Sequence, residues 1–291
     1  MKILILGANG QLGCCLRDQF EKSNHECIYA SRSNIDIGEL SEVEKKVGVV
    51  NPDVIINTAA YTSVDDAEDN CLSANLINNS AVGELAKVCF RANILLIHIS
   101  TDYVFDGTGS KPYIETDLTT PLGSYGKSKR LGEIAIENSG CEFIILRTSW
   151  LFSEYSNNFL TTMLRLAENN KHLQEVGDQY GTPTYAQELA AGIVSLVNQA
   201  APEIHESGIY HFCGQEQLSW YDFAVRIFER AERLNIVGPD TITKIASSEY
   251  PTRAKRPAFS ALDSSLFRNK FFPQQSGLDY NIDCAIVAII R

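Results

Sequence analysis

The sequence predicts an α/β protein built on a doubly wound parallel sheet, with a smaller C-terminal lobe. Its amino terminus is an apolar run, residues 3–6, followed at once by a glycine-rich turn and a helix-compatible segment. Strand-like and helix-like segments then alternate as far as residue 150. This alternation favours right-handed crossovers and a parallel sheet. Beyond residue 150 the pattern loosens, and we expect this half to close over a substrate.

Composition and charge exclude several functional classes. The chain has 291 residues, a net charge of -11 and a pI near 5.0, which gives no support for nucleic-acid binding. The first apolar run is too short for a signal peptide or a membrane span. The eight cysteines lack Cys-x-x-Cys spacing and the five histidines lack metal-ligand spacing. We therefore expect a cytoplasmic protein with reduced thiols, no metal, no membrane contact and no nucleic-acid partner.

The glycine-rich turn lies between the first strand and a helix predicted over about 11–22. Glycine lets the backbone approach a pyrophosphate, while free N–H groups and the helix dipole face the anion. This context predicts a Rossmann-type dinucleotide site. The residues expected to bind the cofactor here are Gly7, Asn9, Gly10, Gln11, Leu12 and Gly13.

A second strand is predicted over 26–31, and Arg32 follows it. NAD-specific sites place an acidic residue here on the ribose hydroxyls, whereas an arginine accommodates a 2′-phosphate. Arg32 therefore favours NADPH, with NADH left open. A solvated loop arginine is the alternative.

Further alternation predicts three polar clusters at one edge of the sheet. The predicted elements are helix 40–49, strand 53–57, helix 72–91, strand 94–100 and strand 143–146. Ligands of such sheets bind beyond the carboxyl ends of the strands, where clusters 57–60, 100–103 and 147–150 fall. The hydroxyls of Ser100 and Thr101 suit a substrate carbonyl, although a strand end that caps the next turn is an alternative. His98, inside an apolar run, is interpreted as a core histidine.

Tyr125 and Lys129 are four residues apart and would share a helix face. A phenol has a pKa of about 10, but a positive charge about 4 Å away is worth roughly 4 kcal/mol at an effective dielectric of about 20. We therefore expect Lys129 to lower the pKa of Tyr125 by about three units, into the range of a general acid. The pair alone also occurs by chance in surface helices.

The C-terminal half is predicted to form a substrate-binding lobe interleaved with the first domain. Its predicted elements are helices 159–168, 185–198 and 219–234 and strands 208–213 and 242–246. We assign 1–150 to an NAD(P)-binding domain, with a returning helix near 185–200, and 151–291 mainly to the lobe. Residues 253–257 concentrate three cations, including Arg256, which suit a diphosphate. A solvated basic loop is the alternative.

Together these motifs resemble a known family. The glycine pattern, the segment 100–107 and Tyr125-x-x-x-Lys129 are typical of the extended short-chain dehydrogenase/reductases. Within that superfamily the chain is similar to the dTDP-4-dehydrorhamnose reductases. The markers, which span almost the whole chain in order, are residues 57–65, 125–133, 147–150, 179–184 and 256–263.

The resemblance implies a reaction and a catalytic trio. A nicotinamide cofactor would deliver hydride to C4 of dTDP-4-dehydro-L-rhamnose, giving dTDP-L-rhamnose for cell-surface polysaccharide. Tyr125 would protonate the developing alkoxide and Thr101 would hydrogen-bond that oxygen. Lys129 would hold the nicotinamide ribose and lower the pKa of Tyr125.

The same resemblance implies the remaining contacts. The additional cofactor contacts would be Asp36 and Ile37 at adenine, with Ala59, Ala60 and Thr62 along the dinucleotide. The residues that would meet the sugar are Val64, Asp102, Tyr103 and Trp150.

One departure bears on metal and assembly. Some members carry a glutamate after the glycine loop that joins a Mg²⁺ site at a dimer interface, where this chain has Cys14 and Cys15. We therefore expect neither that Mg²⁺ nor the dimer it bridges, and leave a homodimer of another kind open.

Two other functional classes compete with the reductase. An epimerase or dehydratase on another nucleotide sugar is the first, although dehydratases place Glu where this chain has Tyr103. A non-catalytic regulatory subunit is the second, although such relatives lose part of the catalytic set that this chain keeps.

Overall fold

A parallel sheet of six strands forms the centre of the protein. The computed structural model describes residues 1–199, 207–272 and 274–291. The strands are β1 (Lys2–Leu6), β2 (Glu26–Ala30), β3 (Val54–Asn57), β4 (Leu95–Thr101), β5 (Phe143–Thr148), β6 (Leu151–Phe152), β7 (His172–Val176), β8 (Tyr180–Gly181), β9 (Thr184–Tyr185), β10 (Gly208–His211), β11 (Leu218–Ser219) and β12 (Thr241–Ile245). The helices are α1 (Gln11–Phe20), α2 (Leu40–Val50), α3 (Asp66–Asp69), α4 (Cys71–Asn75), α5 (Ala81–Ala92), α6 (Ser124–Glu137), α7 (Phe159–Asn169), α8 (Ala186–Gln199), α9 (Trp220–Arg233), α10 (Ser265–Phe271) and α11 (Leu278–Ile290).

The sheet order places the first strand beside the crevice where ligands bind. The order is β2-β1-β3-β4-β5-β10, with parallel pairing throughout. Because β2 and β3 lie on opposite sides of β1, the winding reverses between β1 and β3, and a crevice opens beyond their carboxyl ends. The predicted fold class is confirmed.

Helices cover both faces of this sheet. Ile3 and Ile5 of β1 face one apolar core together with α1 and α8, whereas Leu4 and Leu6 face a second core together with α2 and α5. A strand buried on both faces reads as a continuous apolar run, which is why β1 was recognisable from the sequence.

The helix predicted over 72–91 is interrupted. A π-helical turn, Leu76–Ser80, separates α4 from α5. At this turn Asn78 accepts a hydrogen bond from the backbone of Tyr61 at 2.8 Å and donates one to the carbonyl of Tyr61 at 3.0 Å. A Cβ on Gly132 of α6 would lie 2.1 Å from the carbonyl oxygen of Asn78. The widened turn therefore fits Asn78 between α6 and the loop after β3.

The second half of the chain divides its elements between two cores. β10 follows, in the chain, the returning helix predicted near 185–200. It adds an edge strand to the central sheet. The elements α7, α9, α11 and β7 instead enclose a separate apolar cluster. Neither α10 nor α11 was predicted; α11 carries exposed apolar residues, Ile289 and Ile290, beyond its buried face, so its helical period is obscured. Among the described residues, no helix is long and apolar enough to cross a membrane.

Candidate functional site

The glycine turn and the loop after β3 pack against each other at the crevice. Gly7 has φ +78°, and a Cβ there would lie 2.7 Å from both the backbone nitrogen of Ala59 and Oγ1 of Thr58. The hydroxyl of Thr58 donates to the carbonyl of Leu6 at 2.7 Å. Gly10 precedes α1, so the free N–H groups of that helix face the crevice. The turn has the close backbone approach that a pyrophosphate requires.

Other predicted cofactor residues surround this turn. The buried Nε2 of Gln11 has no hydrogen-bond partner among the described residues, and Leu12 is buried in the core beneath α1. Asn9 is exposed at the crest of the turn. Three further predicted residues, Ala59, Ala60 and Thr62, follow β3 in the loop that meets the turn.

Arg32 and Asp36 lie together beyond β2. The Nε atom of Arg32 lies 2.8 Å from Oδ2 of Asp36, and the arginine side chain is 84% exposed. This hydrogen bond and a second from the backbone of Gly38 lower the pKa of Asp36. Ile37 is buried beside the pair. An exposed cation therefore faces solvent next to the carboxylate that the resemblance assigns to adenine.

Thr101 and Tyr125 meet at the carboxyl end of β4. The side chains of Tyr125 and Thr101 lie next to each other, where Thr101 partly offsets the rise in the pKa of the phenol, and the Thr101 hydroxyl donates to Asp102 Oδ1 at 3.1 Å. The ring of Tyr103 lies edge-on to that of Tyr125, with centroids 5.7 Å apart. A Cβ on Gly126 would lie 2.2 Å from the carbonyl oxygen of Tyr103. Glycine at 126 therefore allows α6 to approach the strand end closely enough for Tyr125 to reach Thr101.

Lys129 lies one helical turn further along α6 and is buried. Its Nζ donates to the carbonyl of Ile99 at 2.6 Å and lies 3.1 Å from Nε2 of His98. Burial lowers the pKa of Lys129 to about 8, and Glu133 opposes the shift. His98, interpreted from the sequence as a core histidine, is thus buried directly against Lys129.

The expected lowering of the Tyr125 pKa by Lys129 is wrong for this arrangement. Burial raises the pKa of Tyr125 to about 12, because desolvation disfavours the phenolate. The lysine amine points at Ile99 and His98. Tyr125 is therefore held as a protonated phenol, the form that a proton donor needs.

Ser100 is not free to bind a substrate carbonyl, contrary to expectation. Its hydroxyl donates to Oε1 of Glu133 at 2.5 Å. Arg147 of β5 donates to both oxygens of the same carboxylate, at 2.9 and 2.8 Å, and both partners are almost fully buried. No role was predicted for Glu133, although its spacing of four residues from Lys129 places it on the same face of α6.

Arg256 reaches the site from the C-terminal half. One of its terminal nitrogens lies 2.7 Å from Oδ2 of Asp65, and the guanidinium lies close enough to Tyr103 to oppose the rise in the pKa of that phenol. Val64 precedes Asp65 in the chain and is half-buried. The basic segment therefore lies beside the strand end that carries Asp102 and Tyr103, with its cation already paired.

Trp150 is fixed in an unusual backbone conformation. Its φ is +47°, a region that costs energy for a bulky residue. Its ring stacks on that of Trp220, with centroids 3.4 Å apart, and a Cβ on Gly181 would lie 2.3 Å from the indole. Sequence reasoning missed Trp220, because no local pattern links it to Trp150.

In the described part of the chain, no group of three or more His, Cys, Asp or Glu residues is arranged to hold a metal ion. At the position of the family glutamate, Cys15 is buried and Cys14 is partly buried.

Comparison with known proteins identifies the family. The RmlD substrate binding domain family matches residues 1–286. The dTDP-4-dehydrorhamnose reductase of Aggregatibacter actinomycetemcomitans is 43% identical over 278 residues, which cover 94% of this chain and 95% of that protein. A crystal structure of a dTDP-4-dehydrorhamnose reductase from Clostridium acetobutylicum superposes with a TM-score of 0.92, at 34% identity and 100% coverage of both chains.

A second crystal structure carries a cofactor. It is a dTDP-4-dehydrorhamnose reductase from Bacillus anthracis in complex with NADP, with a TM-score of 0.91, 31% identity and 98% coverage of both chains. The resemblance inferred from the glycine turn, the strand end after β4 and the Tyr125–Lys129 pair is confirmed by these matches. The chain belongs to the dTDP-4-dehydrorhamnose reductase family.

Proposed function

We propose that this protein reduces the C4 keto group of dTDP-4-dehydro-L-rhamnose to give dTDP-L-rhamnose, with NADPH as the preferred cofactor. The observation that carries the proposal is the contact between Thr101 and the protonated phenol of Tyr125 beside the glycine crevice. The product would serve cell-surface polysaccharide, and we place the reaction in the cytoplasm.

The crevice fits a dinucleotide. Any side chain at Gly7 would fill the space beside Ala59, and the unpaired Nε2 of Gln11 can donate to a bound group. A bound nicotinamide would supply the hydride. Lys129 would hold its ribose through an N–H that Ile99 leaves free.

The chain's own residues then donate the proton and bind the substrate. Tyr125 gives its proton to the oxygen at C4, and Thr101 turns its hydroxyl from Asp102 to the same oxygen. Burial raises the pKa of Asp102 to about 7. Near neutral pH the carboxyl group is therefore partly protonated, and it accepts the hydrogen bond from the Thr101 hydroxyl less strongly. Tyr103, Trp150 and Val64 border the space for the sugar.

The decisive experiment is a substrate panel. The protein would be incubated with NADPH and with 4-keto sugars attached to dTDP or to UDP, while the absorbance of the reduced nicotinamide is followed. We expect oxidation with the dTDP-linked substrate. Conversion of a sugar without net NADPH consumption would instead support an epimerase, and cofactor binding without any turnover would support a regulatory subunit.

Arg32 is proposed to select NADPH. Arg32→Asp is expected to lower the ratio of kcat/KM for NADPH to that for NADH by roughly tenfold or more, because a charged hydrogen bond is worth about 1.5–3 kcal/mol. Arg91→Asp is the matched control, since Arg91 lies on α5, is 46% exposed and pairs with Glu44 of α2. An unchanged ratio in the Arg32 variant would remove Arg32 from cofactor selection.

Arg256 is proposed to bind the diphosphate of the substrate. Arg256→Ala should weaken dTDP binding by about 2 kcal/mol, or roughly 30-fold. Arg256→Lys should restore only part of that binding, because a lysine keeps the charge but cannot form two parallel hydrogen bonds. The existing pair with Asp65 keeps the estimate low, since the ligand must compete with that carboxylate.

Separate titrations of dTDP and NADPH measure this effect. NADPH affinity should hardly change, because the glycine turn binds the cofactor pyrophosphate. The control is Lys171→Ala, which removes an 82% exposed cation that lies outside the basic segment and near Asp240. Equal losses of both ligands would indicate general disruption, and undiminished dTDP affinity would contradict the assignment.

A further inference from the structure

Two stacked indoles lie beyond the carboxyl end of β5. The chain contains two tryptophans, Trp150 and Trp220, and both are partly exposed. Their rings are 3.4 Å apart, centroid to centroid, at an interplanar angle of 6°. Aromatic pairs prefer offset or edge-to-face arrangements to such direct overlap. The surrounding structure therefore imposes this arrangement on the two rings.

The backbone of Trp150 is fixed from both sides. The hydroxyl of Ser149 donates to the carbonyl of Thr182 at 2.7 Å. The carbonyl of Trp150 accepts from the backbone N–H of Thr184 at 3.1 Å. These contacts hold Trp150 at φ +47°, a conformation that persists only where the surroundings over-determine it. They do not fix the side-chain torsions, so the orientation of the indole depends on the groups that it packs against.

Trp220 is the first residue of α9, and the start of that helix fixes its position. Ser219 caps the helix by accepting from the backbone N–H of Asp222 at 3.1 Å, and the Asp222 carboxylate accepts from Ser219 in return. Ser219 also belongs to β11, which pairs with β8. The ring of Phe159, the first residue of α7, lies against that of Trp220 with centroids 4.7 Å apart. Trp220 is thus held by groups other than Trp150.

The indole of Trp150 rests against these fixed groups. A Cβ on Gly181 of β8 would lie 2.3 Å from the indole, so the ring fits beside this strand because residue 181 is glycine. Trp220 covers the ring at van der Waals distance. We propose that Trp220 is a positioning residue, which holds the Trp150 indole in the orientation from which it borders the sugar of the substrate.

The role of Trp220 in substrate binding rests on the proposed function. An indole that is ordered before the substrate arrives loses less conformational entropy on binding, so Trp220 raises the affinity for the sugar through Trp150. Both rings also pack against the apolar cluster of the C-terminal half. A contribution to the stability of that cluster alone is the competing explanation, and the experiments separate the two.

Steady-state kinetics provide the first test. Trp220→Leu should raise KM for the dTDP-linked 4-keto substrate roughly tenfold, while kcat and NADPH affinity change little. Trp220→Phe, which keeps an aromatic ring, should recover much of the lost affinity. Phe228→Leu is the matched control, because it makes a similar change in the same helix and the same apolar cluster. An unchanged KM in Trp220→Leu, or an equal rise in Phe228→Leu, would overturn the proposal.

A double-mutant cycle tests whether Trp220 acts through Trp150. In protein that already carries Trp150→Leu, the further change Trp220→Leu should leave KM where the first change put it. Additive increases in KM would mean that Trp220 acts independently of Trp150, which contradicts the proposal.

The motion of the indole is measured without substrate. Both Trp220→Leu and Trp220→Phe leave Trp150 as the only tryptophan of the chain, so time-resolved fluorescence anisotropy reports this one side chain. We expect faster local depolarisation in Trp220→Leu than in Trp220→Phe. Equal decays in the two variants would overturn the proposal.

The outcomes for the two proposals are distinguishable. If the wild type does not oxidise NADPH with the dTDP-linked substrate, the reductase proposal fails, and the anisotropy of the ligand-free variants still decides whether Trp220 holds Trp150. If the wild type is active and Trp220→Leu matches it in KM, the role of Trp220 fails and the reductase stands. If Trp220→Leu does not fold, Trp220→Met takes its place in both measurements.

Discussion

Tyr125→Phe is expected to lower kcat by about a hundredfold or more while NADPH affinity stays nearly unchanged. The variant keeps the aromatic ring against Tyr103 but removes the hydroxyl that lies beside Thr101, and a positioned general acid typically contributes about 10²–10⁴-fold. The pKa of about 12 means that the phenol stays protonated through the neutral range. Steady-state rates with the dTDP-linked substrate and a fluorescence titration of NADPH measure the two quantities.

The control for this variant is another tyrosine. Tyr280 lies on α11 and is 63% exposed, so Tyr280→Phe should leave both kcat and cofactor affinity as in the wild type. A Tyr125→Phe protein with near-normal kcat would remove Tyr125 as the proton donor. A parallel loss of NADPH affinity would indicate that the crevice, and not the chemistry, had been damaged.

Glu133→Gln is expected to destabilise the protein by roughly 3–5 kcal/mol, the usual cost of leaving a buried charge without its partner. Arg147 is almost fully buried and donates twice to this carboxylate. The Ser100 hydroxyl would lose its ionised acceptor as well. Urea unfolding followed by far-UV circular dichroism should show a clearly lower transition midpoint.

The same helix provides the matched control. Glu137 also pairs with Arg130 but its side chain is 35% exposed, so Glu137→Gln should cost less than about 1 kcal/mol. The double variant Glu133→Leu with Arg147→Met removes both buried charges and should recover part of the stability lost in Glu133→Gln. If Glu133→Gln and Glu137→Gln lowered the free energy of unfolding equally, the buried pair of Glu133 and Arg147 would not be important for stability.

Local patterns in the sequence were sufficient for the fold class and for the positions of several candidate site residues. The buried run of β1, the glycine turn after it and the alternation of later elements each depend on residues close together in the chain. The same holds for Tyr125 and Lys129, because helix geometry alone places residues four apart on one face. The strand-end hydroxyl of Thr101 was likewise predicted, since parallel strands bring their carboxyl ends to one edge.

The errors arose where the environment of a group decides its behaviour. The expected effect of Lys129 on Tyr125 assumed an effective dielectric of about 20, whereas burial raises the pKa of the phenol and lowers that of the amine. Ser100 was expected to face the substrate, but a carboxylate 33 residues away accepts the hydrogen bond that its hydroxyl donates. Periodicity predicts which face of an element is buried, without indicating which polar group will meet another there.

The sequence by itself thus determined the parallel sheet, the glycine turn at its crevice and the positions of the candidate residues at the end of β4 and on α6, because these follow from local spacing. Only the tertiary structure decided that the side chain of His98 contacts those of Asn57 and Lys129. The same is true of the stacking of Trp150 on Trp220. The tertiary structure also paired Arg256 with Asp65 across 191 residues of chain. Such contacts depend on how distant segments pack, and the low-dielectric interior in which they lie sets the protonation state of the groups involved.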